Sequence, residues 1–387
     1  MKRWGVFVAL LTTLALPASA RAQTNGKIIF ERGGCFWVMG PDGSNPIQIG
    51  NQFAADLCPG NNRDPVWSPD GTRIAFISDT HTTLPANIYV MNADGSNLVR
   101  LVDAIGDLEP AWSPDGTKIA FTSNRDGIVG SIYTIDVDGT NLQRVTNSPP
   151  ASDGQPAWSP DGTRIAFSTN EGGIGIHIGV VNVDGTGRTD FDPNIAFGMN
   201  PAWSRDGTRI AFSGDGTANP QEIFVMNTDG TQQTPLTTNT FPDIKPAWSP
   251  DSTMIAFERN ISGLTYVFVM NADGSGQTNL TPTDGGNAPD WQRAHTCQLT
   301  ITPTFATGTL DLGFVLQNSA PATWGTWLLY TGGVVKLWSI PIPAVSPAIS
   351  FHVPIAGFPS IGFIGLLTAI QTPTQALCFD FKIVNTH

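Results

Sequence analysis

The sequence predicts an all-β protein, and two observations point to this fold class. The first is a repeat marked by tryptophans that recur every 45 or 46 residues, followed by one more after 43 residues. These are Trp67, Trp112, Trp158, Trp203, Trp248 and finally Trp291. The second is the content of glycine (41) and proline (30), which suits short strands joined by tight turns. A period of about 40–45 residues is typical of one blade of a β-propeller.

Each full repeat predicts four strands. A Pro-x-Trp strand comes first, and Ser-Pro-Asp-Gly follows as a turn in which the proline presets φ. Arg-Ile-Ala-Phe begins the second strand. The third strand ends in Asp-Gly, which between apolar runs is a strong hairpin signal, and a short fourth strand completes the unit. Repeated apolar positions such as Ile74, Phe76, Trp112 and Phe121 are expected in the core.

The two ends of the repeat region together predict a sixth blade. Residues 27–43 match the second and third strands of a repeat, but no Pro-x-Trp strand precedes them. Residues 289–291 supply the missing Pro-Asp-Trp at the far end. We therefore expect a six-bladed ring that is closed by strands from both ends, since closure protects strand edges that would otherwise seek partners.

The first residues predict an export signal. Lys2 and Arg3 precede an apolar run at 6–16, which is short for a membrane span, and Ala-x-Ala sequences end at Ala20 and Ala22. No cysteine follows the expected cleavage point, so no lipid anchor is indicated. An amphipathic first helix is the alternative. The signal predicts a periplasmic or secreted protein, and no transmembrane span is expected in the mature chain.

Four cysteines allow three disulfide connectivities, and export makes disulfides feasible. We favour Cys35–Cys58 and Cys297–Cys378, because each pair then stays within one domain. The Cys-x(2–4)-Cys spacing of a zinc site does not occur among these cysteines, so we do not expect a metal there.

The composition changes after Cys297. Residues 296–387 contain four charged side chains, and apolar segments alternate with prolines and with a Gly332–Gly333 hairpin signal. We predict a small antiparallel β-sandwich, which would serve either for attachment or docking or as a passive cap. The predicted organisation is a signal peptide at 1–22, a propeller at 24–294 and the β-sandwich at 296–387.

Charge and motifs exclude several classes of function. The formal net charge of −12 argues against a nucleic-acid partner, because phosphate binding requires a basic face. The sequence has no Gly-x-Ser-x-Gly elbow, no His-Glu-x-x-His motif and no dinucleotide fingerprint. Asp136 opens a segment like a calcium loop, but its twelfth position is Asn147 rather than an acid. We expect no cofactor, no metal site and no catalytic residue.

Polar residues just before the Pro-x-Trp strands are the candidate binding site. The first strand of a propeller blade lines the central channel, so residues leading into it should surround one mouth. The residues one position before proline are Asp64, Glu109, Gln155, Asn200, Lys245 and Ala288, and those three before it are Asn62, Asp107, Asp153, Gly198, Asp243 and Gly286. The predicted partner-binding set is Asp64, Asp107, Glu109, Asp153, Gln155, Asn200, Asp243 and Lys245. Its acidic members would accept a cationic peptide segment or a cation; the alternative is that they cap strand ends and face water.

The repeat Pro-x-Trp-Ser-Pro-Asp-Gly-Thr-Arg-Ile-Ala-Phe, followed by Tyr-Val-Met-Asn-Ala-Asp-Gly, resembles the propeller of the TolB family over roughly 24–294. The resemblance implies a periplasmic role of the Tol–Pal kind in the cell envelope. TolB proteins carry an α/β domain before the propeller, whereas here the propeller follows the predicted signal peptide almost directly. Similar repeats occur in propellers fused to prolyl-oligopeptidase-type hydrolases.

We therefore expect a non-enzymatic, exported scaffold that binds a protein or peptide through the propeller face. Association with the cell envelope is a further expectation. The alternative is a hydrolase or lyase that acts on a polysaccharide or lactone through acidic channel residues. Glycoside chemistry would require two carboxylates about 5–9 Å apart.

Overall fold

The structure is a computed structural model. It describes residues 25–49, 61–79, 86–102, 106–127, 129–147, 149–173, 175–191, 197–215 and 220–293, and the backbone of seven strands between 297 and 385. Within these residues the regular structure is almost entirely β-strand, with one 3-10 turn at Glu171–Gly173. None of the helical structure in this part of the chain has the length and apolar character needed to cross a bilayer. The predicted signal peptide at 1–22 lies outside the described residues.

Six four-stranded antiparallel sheets form the blades of a propeller, as predicted. Blade 1 contains β24 (Asn287–Trp291), β1 (Ile28–Arg32), β2 (Cys35–Met39) and β3 (Ile47–Gln48). Blade 2 contains β4 (Asn62–Trp67), β5 (Arg73–Ser78), β6 (Asn87–Asn92) and β7 (Val99–Arg100). Blade 3 contains β8 (Leu108–Trp112), β9 (Lys118–Ser123), β10 (Ser131–Asp136) and β11 (Gln143–Arg144).

The remaining blades repeat this order. Blade 4 contains β12 (Asp153–Trp158), β13 (Arg164–Thr169), β14 (His177–Asn182) and β15 (Thr189–Asp190). Blade 5 contains β16 (Gly198–Trp203), β17 (Arg209–Asp215), β18 (Gln221–Asn227) and β19 (Thr234–Pro235). Blade 6 contains β20 (Asp243–Trp248), β21 (Met254–Ile261), β22 (Leu264–Asn271) and β23 (Thr278–Asn279).

Blade 1 confirms that the two ends of the repeat region close the ring. Strand β24 pairs antiparallel with β1, and Ile28 lies opposite Trp291. The backbone N–H of Gln292 then donates to the carbonyl of Lys27 at 2.8 Å. The seam is tight: a Cβ on Gly26 would lie 2.1 Å from the Gln292 carbonyl oxygen. Glycine is therefore the residue that lets the two ends of the repeat region approach each other.

Within the described residues of the propeller, the hydrophobic core consists of six clusters, each between two neighbouring blades. The predicted core residues Ile74, Phe76 and Phe121 are fully buried, and Trp112 is nearly so. Burying one such side chain contributes about 1.5–3 kcal/mol. The indole of Trp112 also donates from Nε1 to the carbonyl of Val66 in the preceding blade at 3.2 Å. Trp158 and Trp248 make the equivalent hydrogen bonds to the carbonyls of Ala111 and Ala202, so the indole joins successive blades at three of the six positions.

Hydrogen bonds within the Ser-Pro-Asp-Gly turns hold the first two strands of each full repeat. In blade 4, Ser159 Oγ donates to Asp161 Oδ1 at 2.6 Å, and the backbone N–H of Thr163 donates to the same oxygen at 3.0 Å. The backbone N–H of Arg164 donates to Ser159 Oγ at 2.9 Å. The hydrogen bonds from Ser159 and Thr163 lower the pKa of Asp161. The aspartate of the repeat motif therefore has a structural role.

Seven strands follow the propeller, and their backbone pairs in two antiparallel sheets. They are β25 (Cys297–Ala306), β26 (Thr309–Asn318), β27 (Ala322–Tyr330), β28 (Gly333–Ile342), β29 (Val345–Ala356), β30 (Phe363–Gln371) and β31 (Leu377–Asn385). The orders are β25-β26-β29 and β28-β27-β30-β31. Strands β27 and β28 pair directly from Tyr330 and Gly333, as the Gly-Gly signal predicts. A separate β-sandwich domain stays a prediction.

The disulfide pairing also stays a prediction. Cys35 begins β2 and is buried. Cys58 and the side chains of Cys297 and Cys378 lie outside the described part of the chain. Strands β25 and β31, which contain these last two cysteines, belong to different sheets. The predicted Cys297–Cys378 bond would therefore connect the two sheets.

Candidate functional site

The innermost strand of every blade contains the same irregularity, directly before its proline. The residue at this point has a positive φ in all six blades: Asp64 (51°), Glu109 (59°), Gln155 (56°), Asn200 (52°), Lys245 (53°) and Ala288 (47°). A left-handed backbone is uncommon for residues other than glycine, and a following proline disfavours helical conformations. The pairing register shifts at this point, as in a β-bulge, which redirects a side chain. The strain is thus built into the repeat at the channel.

Side chains at the bulges connect neighbouring blades. Glu109 Oε2 accepts the backbone N–H of Gln155 at 2.7 Å, and Gln155 Oε1 accepts that of Asn200 at 2.9 Å. Hydroxyl groups of the second strands donate to the same two side chains. Thr122 Oγ1 donates to the Glu109 carboxylate and Ser168 Oγ donates to the Gln155 amide oxygen, each at 2.7 Å. These contacts fix the strained backbone. Two of the predicted residues, Glu109 and Gln155, therefore stabilise the channel wall itself.

A second residue position completes this end of the channel, and sequence reasoning missed it. It is the residue directly after Ile-Ala-Phe in the second strand, which pairs with the first strand beside the bulge. In the six blades this residue is Glu31, Ile77, Thr122, Ser168, Ser213 and Glu258. Aligning the repeats could have found the two glutamates, since an acid stands there only in blades 1 and 6.

Five charged side chains come together at this end of the channel, and we call them the acidic cluster: Glu31, Asp64, Glu109, Lys245 and Glu258. Lys245 Nζ lies 2.7 Å from Asp64 Oδ1 and 3.8 Å from Glu258 Oε2. Lys245 belongs to blade 6 and Asp64 to blade 2, so the ion pair bridges over blade 1. In blade 1 the residue directly before the proline is the small Ala288, which leaves room for this contact. Four carboxylates thus face a single ammonium group.

Burial and mutual repulsion perturb these groups. Burial raises the pKa of Glu31, and the charge of Asp64 raises it further. Burial likewise raises the pKa values of Glu109 and Glu258. Burial alone would lower the pKa of Lys245, but Asp64 and Glu258 reverse this, so that its pKa is raised. The acidic cluster therefore holds excess negative charge that an added cation would stabilise.

The other predicted acids lie inside the blades. Asp107, Asp153 and Asp243 are 0%, 1% and 0% exposed, because their side chains point into the blade rather than into the channel. Each forms an ion pair with an arginine. The pairs are Asp107–Arg125 (2.8 Å), Asp153–Arg188 (3.1 Å) and Asp243–Arg259 (2.6 Å). The ring of acceptors expected from the sequence therefore does not include these three residues; Asp64 and Glu109 remain, with Lys245 as their cation.

The opposite end of the innermost strands forms a cavity of about 200 Å³. Its wall consists mainly of the repeated proline, alanine and tryptophan residues of the Pro-x-Trp-Ser-Pro segments. Three charged residues, Arg205, Asp290 and Arg293, also line it. Among the described residues, no group of three or more His, Cys, Asp or Glu side chains is arranged to hold a metal ion. The two ends of the channel thus differ in chemistry.

Comparisons with known proteins agree with this architecture. The family model of the TolB beta propeller domain matches residues 47–190 and 194–302. A TolB structure from Acinetobacter baumannii is 20% identical, with a TM-score of 0.60, covering 70% of this chain and 67% of its own. A TolB-type structure from Agrobacterium tumefaciens is also 20% identical, with a TM-score of 0.54, covering 68% of this chain and 91% of its own. No curated protein sequence matches significantly.

A structure of a nidogen–laminin complex has a TM-score of 0.55 at 10% identity and covers 68% of this chain and 97% of its own. At such identities, similarity between structures speaks for the fold alone. The family model covers more than half of the sequence and follows the same repeats that form blades 2 to 6. The chain belongs to the TolB beta propeller domain family.

Proposed function

We propose that this protein is an exported, non-enzymatic scaffold that binds a protein or peptide partner at the acidic end of its channel. The observation that carries the proposal is the acidic cluster, in which four carboxylates share one lysine on a strained frame that is fixed by hydrogen bonds. Family membership supports a periplasmic setting and a role in the cell envelope, as in the Tol–Pal system. The partner segment that suits this end of the channel is a peptide with lysine or arginine side chains.

The charge balance gives the physical reason for a cationic partner. At an effective dielectric constant of about 20, two unit charges 4 Å apart interact by about 4 kcal/mol before the cost of desolvation. Lys245 already pairs with Asp64 and Glu258, whereas Glu31 has no lysine or arginine at ion-pair distance among the described residues. An incoming ammonium or guanidinium group near Glu31 would offset its repulsion by Asp64. The bulged backbone would hold the acceptors in place without reorganisation.

The enzymatic alternative needs a free acid and a free base. Raised pKa values such as those of Glu109 and Glu258 occur in catalytic pairs. However, Glu109 Oε2 accepts the backbone N–H of Gln155, and Glu258 Oε2 accepts that of Ala288 at 3.0 Å. Both carboxylates are therefore engaged in holding the next blade. Binding is the function that this arrangement supports better.

The experiment is a capture of envelope and culture-medium proteins by the mature chain, followed by titration of the identified partner. The test variant is Glu31→Gln combined with Asp64→Asn, which removes two charges and keeps the side-chain shapes. The matched control is Asp229→Asn combined with Asp273→Asn, which removes two charges in exposed turns where the amide oxygens still accept the N–H groups of Thr231 and Ser275. Losing one or two charge-assisted contacts should weaken binding roughly 10- to 100-fold, and the control should change it less than about 2-fold.

Equal binding by the test variant and the control, at low and at high salt, would refute a role for the acidic cluster. A loss that also appears in the control would indicate a nonspecific effect of net charge. Thermal unfolding of both variants shows whether the propeller remains folded. A captured partner that binds the wild type more weakly as salt increases is the expected result.

A further inference from the structure

At the other end of the channel, two residues that line the cavity depart from the sequence of the repeat. The second residue after the repeated tryptophan is proline in four of the five full repeats. These prolines are Pro69, Pro114, Pro160 and Pro250. Blade 5 has Arg205 at this position, and blade 1 has Arg293. Two guanidinium groups therefore replace proline rings at equivalent points of one ring, separated by a single blade.

Arg205 is available for a ligand. It makes no hydrogen bond or ion pair at bonding distance within the described part of the chain, and it lines a cavity that solvent reaches. Burial lowers its pKa, which the charge of Asp290 opposes. Arg293 is held only weakly, since Nη1 donates to the carbonyl of Pro114 at 3.5 Å. Burial and the charge of Arg205 lower the pKa of Arg293 to about 10, so Arg293 is cationic at neutral pH. An arginine guanidinium keeps its proton in proteins, so Arg205 is cationic as well.

Asp290 compensates only one of these charges. Its Oδ2 accepts the backbone N–H of Trp67 at 2.7 Å, which engages it with the innermost strand of blade 2. Burial raises the pKa of Asp290 to about 6 against the opposing charge of Arg205. With Asp290 ionised, the three groups leave one net positive charge in a cavity that is otherwise lined mainly by proline, alanine and tryptophan residues. This is a local exception in a chain with a formal net charge of −12.

We propose that this cavity, which we call the arginine pocket, binds a carboxylate group carried by a short apolar peptide segment, with Arg205 and Arg293 as its donors. A guanidinium group presents a planar set of donors that matches a carboxylate in two parallel hydrogen bonds. The proline and tryptophan walls fit the apolar part of the ligand. The carboxylate can come from a peptide C-terminus or from an Asp or Glu side chain. This inference goes beyond the proposed function, since it concerns the opposite end of the channel and a ligand of opposite charge.

The test uses the mature chain and four short peptides, followed by NMR or calorimetry up to about 10 mM peptide. Acetyl-Leu-Leu with a free C-terminus is compared with its C-terminal amide. Amidated acetyl-Leu-Glu-Leu is compared with its glutamine analogue. We expect each acid to bind at least about 10-fold more tightly than its neutral counterpart. The pair with the larger difference identifies the source of the carboxylate.

Three variants locate the site. Arg205→Pro restores the residue of the other full repeats, so the turn accommodates it, and it should weaken binding of the acid roughly 10- to 100-fold. Asp290→Asn keeps an oxygen for the N–H of Trp67 and should tighten binding. Asp284→Asn also removes one negative charge, but Asp284 is 64% exposed in the loop between β23 and β24, so this variant should leave binding of the acid unchanged.

Several results would overturn the proposal. It fails if no acid binds up to the highest concentration, or if acids and neutral analogues bind equally. It also fails if Arg205→Pro binds the acid as well as the wild type does while its thermal unfolding is unchanged. Because Glu31→Gln combined with Asp64→Asn tests the acidic cluster and Arg205→Pro tests the arginine pocket, failure of one proposal is distinguishable from failure of the other.

Discussion

Replacing Asp243 with alanine should destabilise the propeller strongly, because this acid belongs to a buried ion pair. Arg259 Nε and Nη2 donate to the two carboxylate oxygens at 2.6 and 2.7 Å, and the two side chains are 0% and 10% exposed. Asn239 Nδ2 donates to the same carboxylate at 2.7 Å. Asp243→Ala leaves the guanidinium of Arg259 buried without its counter-charge. Breaking such a pair typically costs about 3–5 kcal/mol in the free energy of unfolding.

Urea unfolding followed by tryptophan fluorescence measures this change. The matched control is Asp284→Ala, since Asp284 also pairs with an arginine, Arg32 at 3.4 Å, but is 64% exposed. An exposed pair contributes about 0–1 kcal/mol, so the control should unfold almost as the wild type does. If Asp243→Ala unfolds within about 1 kcal/mol of the wild type, the structural role assigned to this acid is wrong. That result would return Asp243 to the candidates for partner binding.

Two further variants test the ring closure and the turns. Gly26→Ala places a Cβ against the Gln292 carbonyl oxygen and should lower the thermal unfolding midpoint. The control Gly127→Ala should leave the midpoint unchanged, because no heavy atom lies within 4 Å of its Cβ. Equal midpoints for the two variants would contradict the tight contact between Gly26 and Gln292. Hydrogen bonds lower the pKa of Asp161 in the folded protein. Its carboxylate therefore contributes its full stabilisation above the unfolded-state pKa of about 3.9, and this stabilisation is lost as the pH falls through the lower pKa of the folded state. The difference in unfolding free energy between wild type and Asp161→Asn should therefore shrink on acidification, and a difference that grows would contradict the assignment.

The blades and their closure could be predicted because the signals are local and repeated. Each Pro-x-Trp strand and each Asp-Gly turn recurs at a fixed period, and residues 289–291 visibly supply what the first repeat lacks. The positive φ before each proline could not be predicted from residue type. Asp, Glu, Gln, Asn, Lys and Ala all adopt it, so the bulge is imposed by the blade rather than by intrinsic propensity.

The candidate site was only partly predictable, since the direction of a side chain decides its role. Asp107 and Glu109 stand two positions apart, yet one pairs with Arg125 inside the blade and the other reaches the next blade. The arginine partners of the buried acids come from different strands and loops at unequal sequence distances, which no periodicity reveals. Glu31 and Arg205 are visible as departures from the repeat, but their meaning depends on which end of the channel they face.

The central claim is that a partner binds at the acidic end of the channel, and photocrosslinking tests this most directly. A photoreactive amino acid replaces Ser262, at the tip of the β21–β22 hairpin beside the acidic end, or Leu142, which is 43% exposed at the opposite end. We expect the captured partner to crosslink from position 262 and not from position 142, and to lose this crosslink in Glu31→Gln combined with Asp64→Asn. Crosslinking from position 142 alone, or from position 262 with equal yield in that variant, would contradict the account.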